Sequence, residues 1–241
     1  MKDMFEGVKI TSTPVIKTVT NHKTAEQYAG NSQTLQSMPL DEVVERIIAL
    51  NQGLTEFWRS PSGWAPVEAA QILSKSRLDW QVSLSKALRI WTRSDLDKEE
   101  PGHLILAWVN LGSLTEGTLK LFLSVFYETY KDDAEAIYRE TKLQSPDGLG
   151  LDRLRCFYKK RIWDENWDRW VLHLQHRRNA VHAFKSRDIG SFDELHSDIR
   201  RYLRLLRYVN FRLPYPDDLY RPQEIVGIIS EEKTVLNRTD V

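Results

Sequence analysis

Thirty consecutive residues, PGHLILAWVNLGSLTEGTLKLFLSVFYETY from Pro101 to Tyr130, constrain the fold more than any other stretch of the chain. Leu104, Trp108, Leu111, Thr115, Leu119, Phe122 and Phe126 recur at i, i+4, i+7 spacing, which predicts a central helix. Gly112, Ser113 and Gly117 interrupt it with residues that cost helix propensity, about 1 kcal/mol for glycine relative to alanine, so another backbone is expected to approach closely there. The runs LILAWV and LFLSVFY fall well short of the roughly 18 apolar residues that a membrane span requires, and no membrane partner is expected.

Helical spacing continues on both sides. Leu40, Val43, Val44, Ile47, Ile48 and Leu50 predict one helix, opened by Asp41 and Glu42 at the end where the helix dipole favours anions. After the turn-forming SPSGWAP, Ala69, Ile72, Leu73, Trp80, Leu84, Leu88 and Trp91 trace one face of a second, longer helix. LDRLRCFYKKRIW reads as a short basic helix. Ser191 and Glu194 form an S-x-x-E capping box, and Phe192, Leu195, Ile199, Tyr202, Leu206 and Val209 line the helix that follows until Pro214 and Pro216 stop it. The expectation is an all-α fold: a helical bundle of five or six helices in one domain over residues 39–216, with a polar, partly extended or disordered arm at 1–38 and an irregular tail at 217–241. The alternation in VKITSTPVIKTVT and the run EIVGII are the two places where a strand is conceivable.

A chain of 241 residues can bury a substantial core without disulfides. Its single cysteine, Cys156, has no partner for an intrachain bridge or a typical zinc site, and it reads as a small packed side chain. No cofactor or metal is expected. A reducing compartment is the default, the N-terminus has no secretory pattern, and the expected location is cytoplasmic. Net charge is zero, but it is unevenly spread. Residues 151–212 carry 15 Lys+Arg against 8 Asp+Glu, while 1–150 and 213–241 are both net acidic. Such a basic segment supplies a local positive field for phosphates, or simply solvates helices and pairs with acids on neighbouring turns.

Within that segment HLQHRRNAVHAF (173–184) concentrates three histidines, two arginines and an asparagine. On an ideal helix with Trp167 at zero, Trp170, Val171, Leu174 and Val181 fall at about 300°, 40°, 340° and 320°, a core-facing stripe. Arg178 and His182, at about 20° and 60°, lie at its edge with Gln175 and Asn179 beyond, whereas His173 and His176 point away and read as solvated. Arg177 falls near 280°, on the opposite flank. An edge histidine and arginine suit RNA cleavage by 2′-hydroxyl attack: imidazole is acid or base near neutral pH, guanidinium steadies the phosphorane, and no metal is needed. One histidine does not easily serve as both acid and base, so two copies facing across a two-fold axis are expected.

RRNAVHAF, in a helical bundle and followed by a final long helix, resembles the R-x4-6-H signature of the HEPN superfamily, with the likeness covering residues 101–212. Arg177 and His182 fit its R-x4-H form, and LGSLTEGTLKLFL is similar to the family's acidic, small-residue-rich helix. The resemblance implies a homodimeric, metal-independent endoribonuclease of a toxin-antitoxin, abortive-infection or RNA-processing type, with RNA as substrate and an antitoxin or regulatory protein as a further partner. Two departures stand out. Arg178 follows Arg177 where the family usually has Asn, Asp or His, with Asn179 one place late, so either arginine can be the motif residue and both are expected to line the cleft. Phe184 replaces the tyrosine of the H-x-Tyr variant, which removes any regulation through that hydroxyl. Glu116 is a candidate to orient an arginine by a charge-assisted bond, with a simple surface or helix-pair role as the alternative.

Two other readings stay open. A non-catalytic module would bind RNA, a nucleotide or a protein through the same basic face, needing the charge and not the imidazole. Arg178, Asn179 and His182 would otherwise be a buried polar network that holds the bundle or the dimer together. Trp163, Trp167 and Trp170 are read as core rather than as base-stacking platforms.

Overall fold

The computed structural model of the chain describes residues 19–30, 32–60, 65–96, 99–217 and 220–224, with the backbone alone at 19–22 and 32–34. The fold is all-α apart from one minimal hairpin. Its helices are α1 (Val19–Tyr28), α2 (Ser32–Ser37), α3 (Leu40–Trp58), α4 (Val67–Lys75), α5 (Leu78–Trp91), α6 (Pro101–Val125), α7 (Tyr127–Lys131), α8 (Leu151–Arg161), α9 (Glu165–Arg178) and α10 (Phe192–Arg212). Strands β1 (Tyr138–Arg139) and β2 (Lys142–Leu143) pair antiparallel in the charged stretch before α8.

Helix α6 is the centre, packing on α4, α5, α8, α9 and α10, while α3 closes the other side against α5 and α10. Each predicted core residue of α6 is buried, from Leu104 to Phe122, with Phe126 capping its end. Its polar residues are satisfied in place. Asn110 accepts from Trp91 Nε1 at 2.9 Å and donates to the Leu84 carbonyl at 3.0 Å, fastening α5. Tyr158 of α8 donates to the Leu119 carbonyl at 2.7 Å. The sealed hydroxyl of Tyr202 on α10 shares a 3.0 Å bond with Thr118, and burial pushes its pKa up to about 12.

The five or six expected helices become ten among the described residues, for local reasons. The long second helix breaks between α4 and α5, where Ser76 turns extended (ψ 148°) and its hydroxyl caps the Leu73 carbonyl at 2.5 Å. That break shifts the register beyond it: Ala69, Leu73, Leu88 and Trp91 are buried as expected, but Trp80 is exposed, with the Arg77 guanidinium 4.2 Å above its ring. Part of the supposed extended arm is helical, since α1 occupies Val19–Tyr28 and α2 Ser32–Ser37. Helix α1 docks through Glu26, which accepts from both Trp167 Nε1 and Arg204. Residues 1–18 lie outside the described residues, as does EIVGII apart from Glu224, whose carboxylate ties Arg46 of α3 to Arg207 of α10. No described helix is long and apolar enough to cross a membrane.

Candidate functional site

Helix α9 starts firmly. The Asp164 carboxylate accepts from the N–H groups of Asn166 (2.9 Å) and Trp167 (3.1 Å), an N-cap worth about 1 kcal/mol. Trp167, Trp170, Val171 and Leu174 are buried as the wheel requires, and Trp163 joins them, so these indoles are core. Buried Asp168 anchors the helix to α8 through Arg155 (2.6 Å) and Lys159 (3.1 Å).

The helix then ends earlier than its apolar spacing implies. Arg178 is its last residue, Asn179–Val181 form a single 3-10 turn, and His182 leaves helical geometry (φ −85°, ψ 83°). Val181 is therefore exposed rather than in the core stripe, and Phe184 is fully exposed. Downstream, Ser191 caps α10 by accepting from the Glu194 N–H at 3.3 Å and Gly190 takes a left-handed φ of +65°. A side chain at 190 would place its Cβ 1.9 Å from Glu194 Oε2 and 2.9 Å from Arg177 Cζ, so the chain has to turn there on glycine. The Ile189 carbonyl accepts from Trp108 Nε1 at 2.7 Å, pinning the connection to α6.

This turn decides where each expected site residue goes. Arg178 lies against α6: its Nη1 donates to Glu116 Oε2 at 2.6 Å, the anticipated charge-assisted contact. Lys120 reaches the other Glu116 oxygen at 2.8 Å. Burial pushes the Glu116 carboxyl up, but the bonds from Lys120 and Arg178 pull it down further, and the net result is a lowered pKa. Gly112 is small because the stem of Arg178 crosses it; a Cβ there would stand 2.7 Å from Arg178 Cδ. The close approach expected at this glycine is thus made by a side chain, not a backbone, and Gly117 likewise faces the Gln81 side chain.

Arg177 goes elsewhere. Buried to 9 % side-chain exposure, it donates to Glu194 (2.8 Å) and pairs with Asp188 (2.6 Å), and it lines a pocket of about 330 Å³ with His173, His176, Ser186, Arg187 and Asp188. The expectation that both arginines line one cleft is corrected accordingly, because adjacent helical residues diverge by about 100° and each finds its own carboxylate. Asn179 serves through its backbone: it is the C-cap of α9, and its carbonyl accepts from the His182 N–H at 3.2 Å. The side chain of His182 is exposed, so a buried Arg178–Asn179–His182 network is not what holds the bundle together.

Two further readings change. His173 is not simply solvated, since its Nε2 lies 3.2 Å from Asp198 and its ring stands edge-on to Trp108. Cys156 is exposed on α8 rather than packed. Arg187 and Asp188 belong to the neighbourhood and were missed; only their place in the Lys185–Gly190 turn, a loop after a basic helix, signals them in the sequence. Among the described residues, no group of three or more His, Cys, Asp or Glu is placed to hold a metal ion. In comparison with known proteins, no family model, no curated protein and no solved structure matches this chain, so the site is read from its own geometry.

Proposed function

We propose that the chain is a HEPN-like, metal-independent endoribonuclease of a toxin or defence type that cleaves RNA at a composite site formed by two copies. The observation that carries the reading is the exposed imidazole of His182, fixed on a turn four residues after an arginine that Glu116 holds at 2.6 Å. An imidazole at the surface can reach a strand, and an arginine pinned by a second-layer carboxylate presents charge without having to reorganise. One His182 removes the 2′-hydroxyl proton as that oxygen attacks phosphorus. The 5′-oxygen then leaves, taking its proton from the second copy's imidazole, and the products carry a 2′,3′-cyclic phosphate and a 5′-hydroxyl. Phe184, two residues on and fully exposed, offers a ring face on which a neighbouring base stacks.

A second reading rests on its own observation. Each arginine is already neutralised by a carboxylate, Arg177 by Asp188 and Glu194 and Arg178 by Glu116. A surface so balanced suits a module that binds RNA, a nucleotide or a protein without cleaving anything. His182→Ala separates the two. The enzyme reading expects RNA cleavage to fall by two orders of magnitude or more while binding in a gel-shift assay holds; binding with no cleavage by either protein favours the binding module, and cleavage that is unchanged in His182→Ala removes His182 from the chemistry.

A further inference from the structure

The pocket beside Arg177 is absorbed by neither reading. It lies between the last two turns of α9 and the loop that leads to α10, and Arg177, Arg187, His173, His176 and Ser186 line it together with one carboxylate, Asp188, while Asp198 and Glu194 engage His173 and Arg177 from outside. Among the described residues Arg187 has no ion pair, unlike both motif arginines. The Nε–H of Arg187 and that of Arg177 are each buried without an acceptor.

One acceptor is already present and shows what kind of group fits. The Asp188 carboxylate takes Arg177 Nη1 at 2.6 Å and the Gly190 N–H at 2.9 Å, a guanidinium and a backbone amide converging on one oxyanion. Yet the Asp188 side chain is 83 % exposed, so nothing but these bonds retains it. Arg177 holds its carboxyl below the usual range, which keeps it anionic in the place of an incoming anion. On the other flank Glu194 fixes Arg177 Nη2 at 2.8 Å, so the guanidinium stays in position when Asp188 swings out.

We propose that this pocket binds a phosphate oxyanion through Arg177, Arg187 and His176, and that Asp188 is a built-in placeholder which the phosphate displaces. Three acceptor oxygens on one centre match two guanidinium forks and an imidazole better than a carboxylate does. The ligand chemistry is shared by free phosphate or a phosphomonoester and by the backbone of an RNA strand. The proposal does not depend on cleavage at His182.

The test is calorimetric titration of the full chain with inorganic phosphate, followed by competition with a 2′-O-methyl oligonucleotide that lacks terminal phosphates and has no 2′-hydroxyl to react. Arg187→Ala is expected to weaken phosphate binding about tenfold or more, and Asp188→Asn to strengthen it roughly fivefold, since the placeholder loses its charge. Arg153→Ala, the same loss of charge on the exposed surface of α8, is expected to leave it unchanged. Competition by the oligonucleotide assigns the pocket to a strand's backbone; phosphate binding without competition assigns it to a free phosphate or phosphomonoester. Both outcomes support an anion pocket. Absence of phosphate binding to the wild-type chain at millimolar concentration overturns it, and so does equal affinity in wild type, Arg187→Ala and Asp188→Asn. The Asp188→Asn arm reads a gain of affinity, so it stays decisive even where Arg187→Ala fails to fold.

Discussion

At the scale of single residues, the chemistry of the region turns on which carboxylate each arginine finds. Glu116 pairs with Arg178 and Lys120 in a partly buried setting, so Glu116→Gln is expected to cost about 1–2 kcal/mol in urea unfolding at neutral pH. The pH dependence has a definite sign. The folded carboxyl is lowered from its ordinary value of 4.5, so its contribution is complete above that value and is lost as pH falls through the folded pKa. The stability gap between wild type and Glu116→Gln should therefore close below about pH 4.5, and a constant gap down to pH 3 would contradict the assignment. Phe184→Ala is expected to leave the melting temperature unchanged, because the ring touches solvent, while weakening RNA binding roughly tenfold if the ring stacks a base. The Glu116 contact was legible because a lone acid in an apolar helix invites a cation. The partner of Arg177 was not, since it depends on a loop whose path Gly190 and Trp108 set through contacts remote in sequence.

Elements were legible wherever apolar periodicity was long and uninterrupted. Helices α6 and α10 bury the residues that their spacing names, and α3 does so for all but the half-buried Leu40; Ser191 caps α10 as expected, while the Glu194 carboxylate takes Arg177. Periodicity failed where a helix stopped without a proline or glycine to announce it. Helix α4 ends at Lys75, which swings Trp80 out of the core face, and α9 ends at Arg178, which does the same to Val181. In both cases the apolar spacing continues across the break, and a wheel has no means of registering a change of axis. The position of α9 rests on Asp168, nearly sealed between Arg155 and Lys159 of α8. Asp168→Ala strands a part-buried guanidinium and is expected to cost about 3 kcal/mol, a loss that thermal or urea unfolding resolves easily. Ser191→Ala removes only a cap, and about 1 kcal/mol is expected from the same measurement. A larger penalty for the cap than for Asp168 would mean that α10, not the α8–α9 pair, fixes the basic segment.

For the whole molecule, the all-α bundle around α6 follows from one apolar run, whereas the charge asymmetry gained its meaning only when the fold placed Arg178 against α6, Arg177 in a pocket and His182 on the surface. In the proposed composite site each chain brings one His182, and the acid and the base come from two chains. Specific activity should therefore rise with protein concentration and level off where sedimentation velocity finds the dimer; activity per chain that stays constant in a dilution where only monomer sediments would refute the composite site. The most direct measurement is the chemistry of the cut ends, made on RNA incubated with the chain in excess EDTA. A metal-independent attack by the 2′-hydroxyl predicts 2′,3′-cyclic phosphate and 5′-hydroxyl termini that disappear with His182→Ala. Termini bearing 3′-hydroxyl and 5′-phosphate, or the same cyclic phosphate yield from His182→Ala, would contradict it.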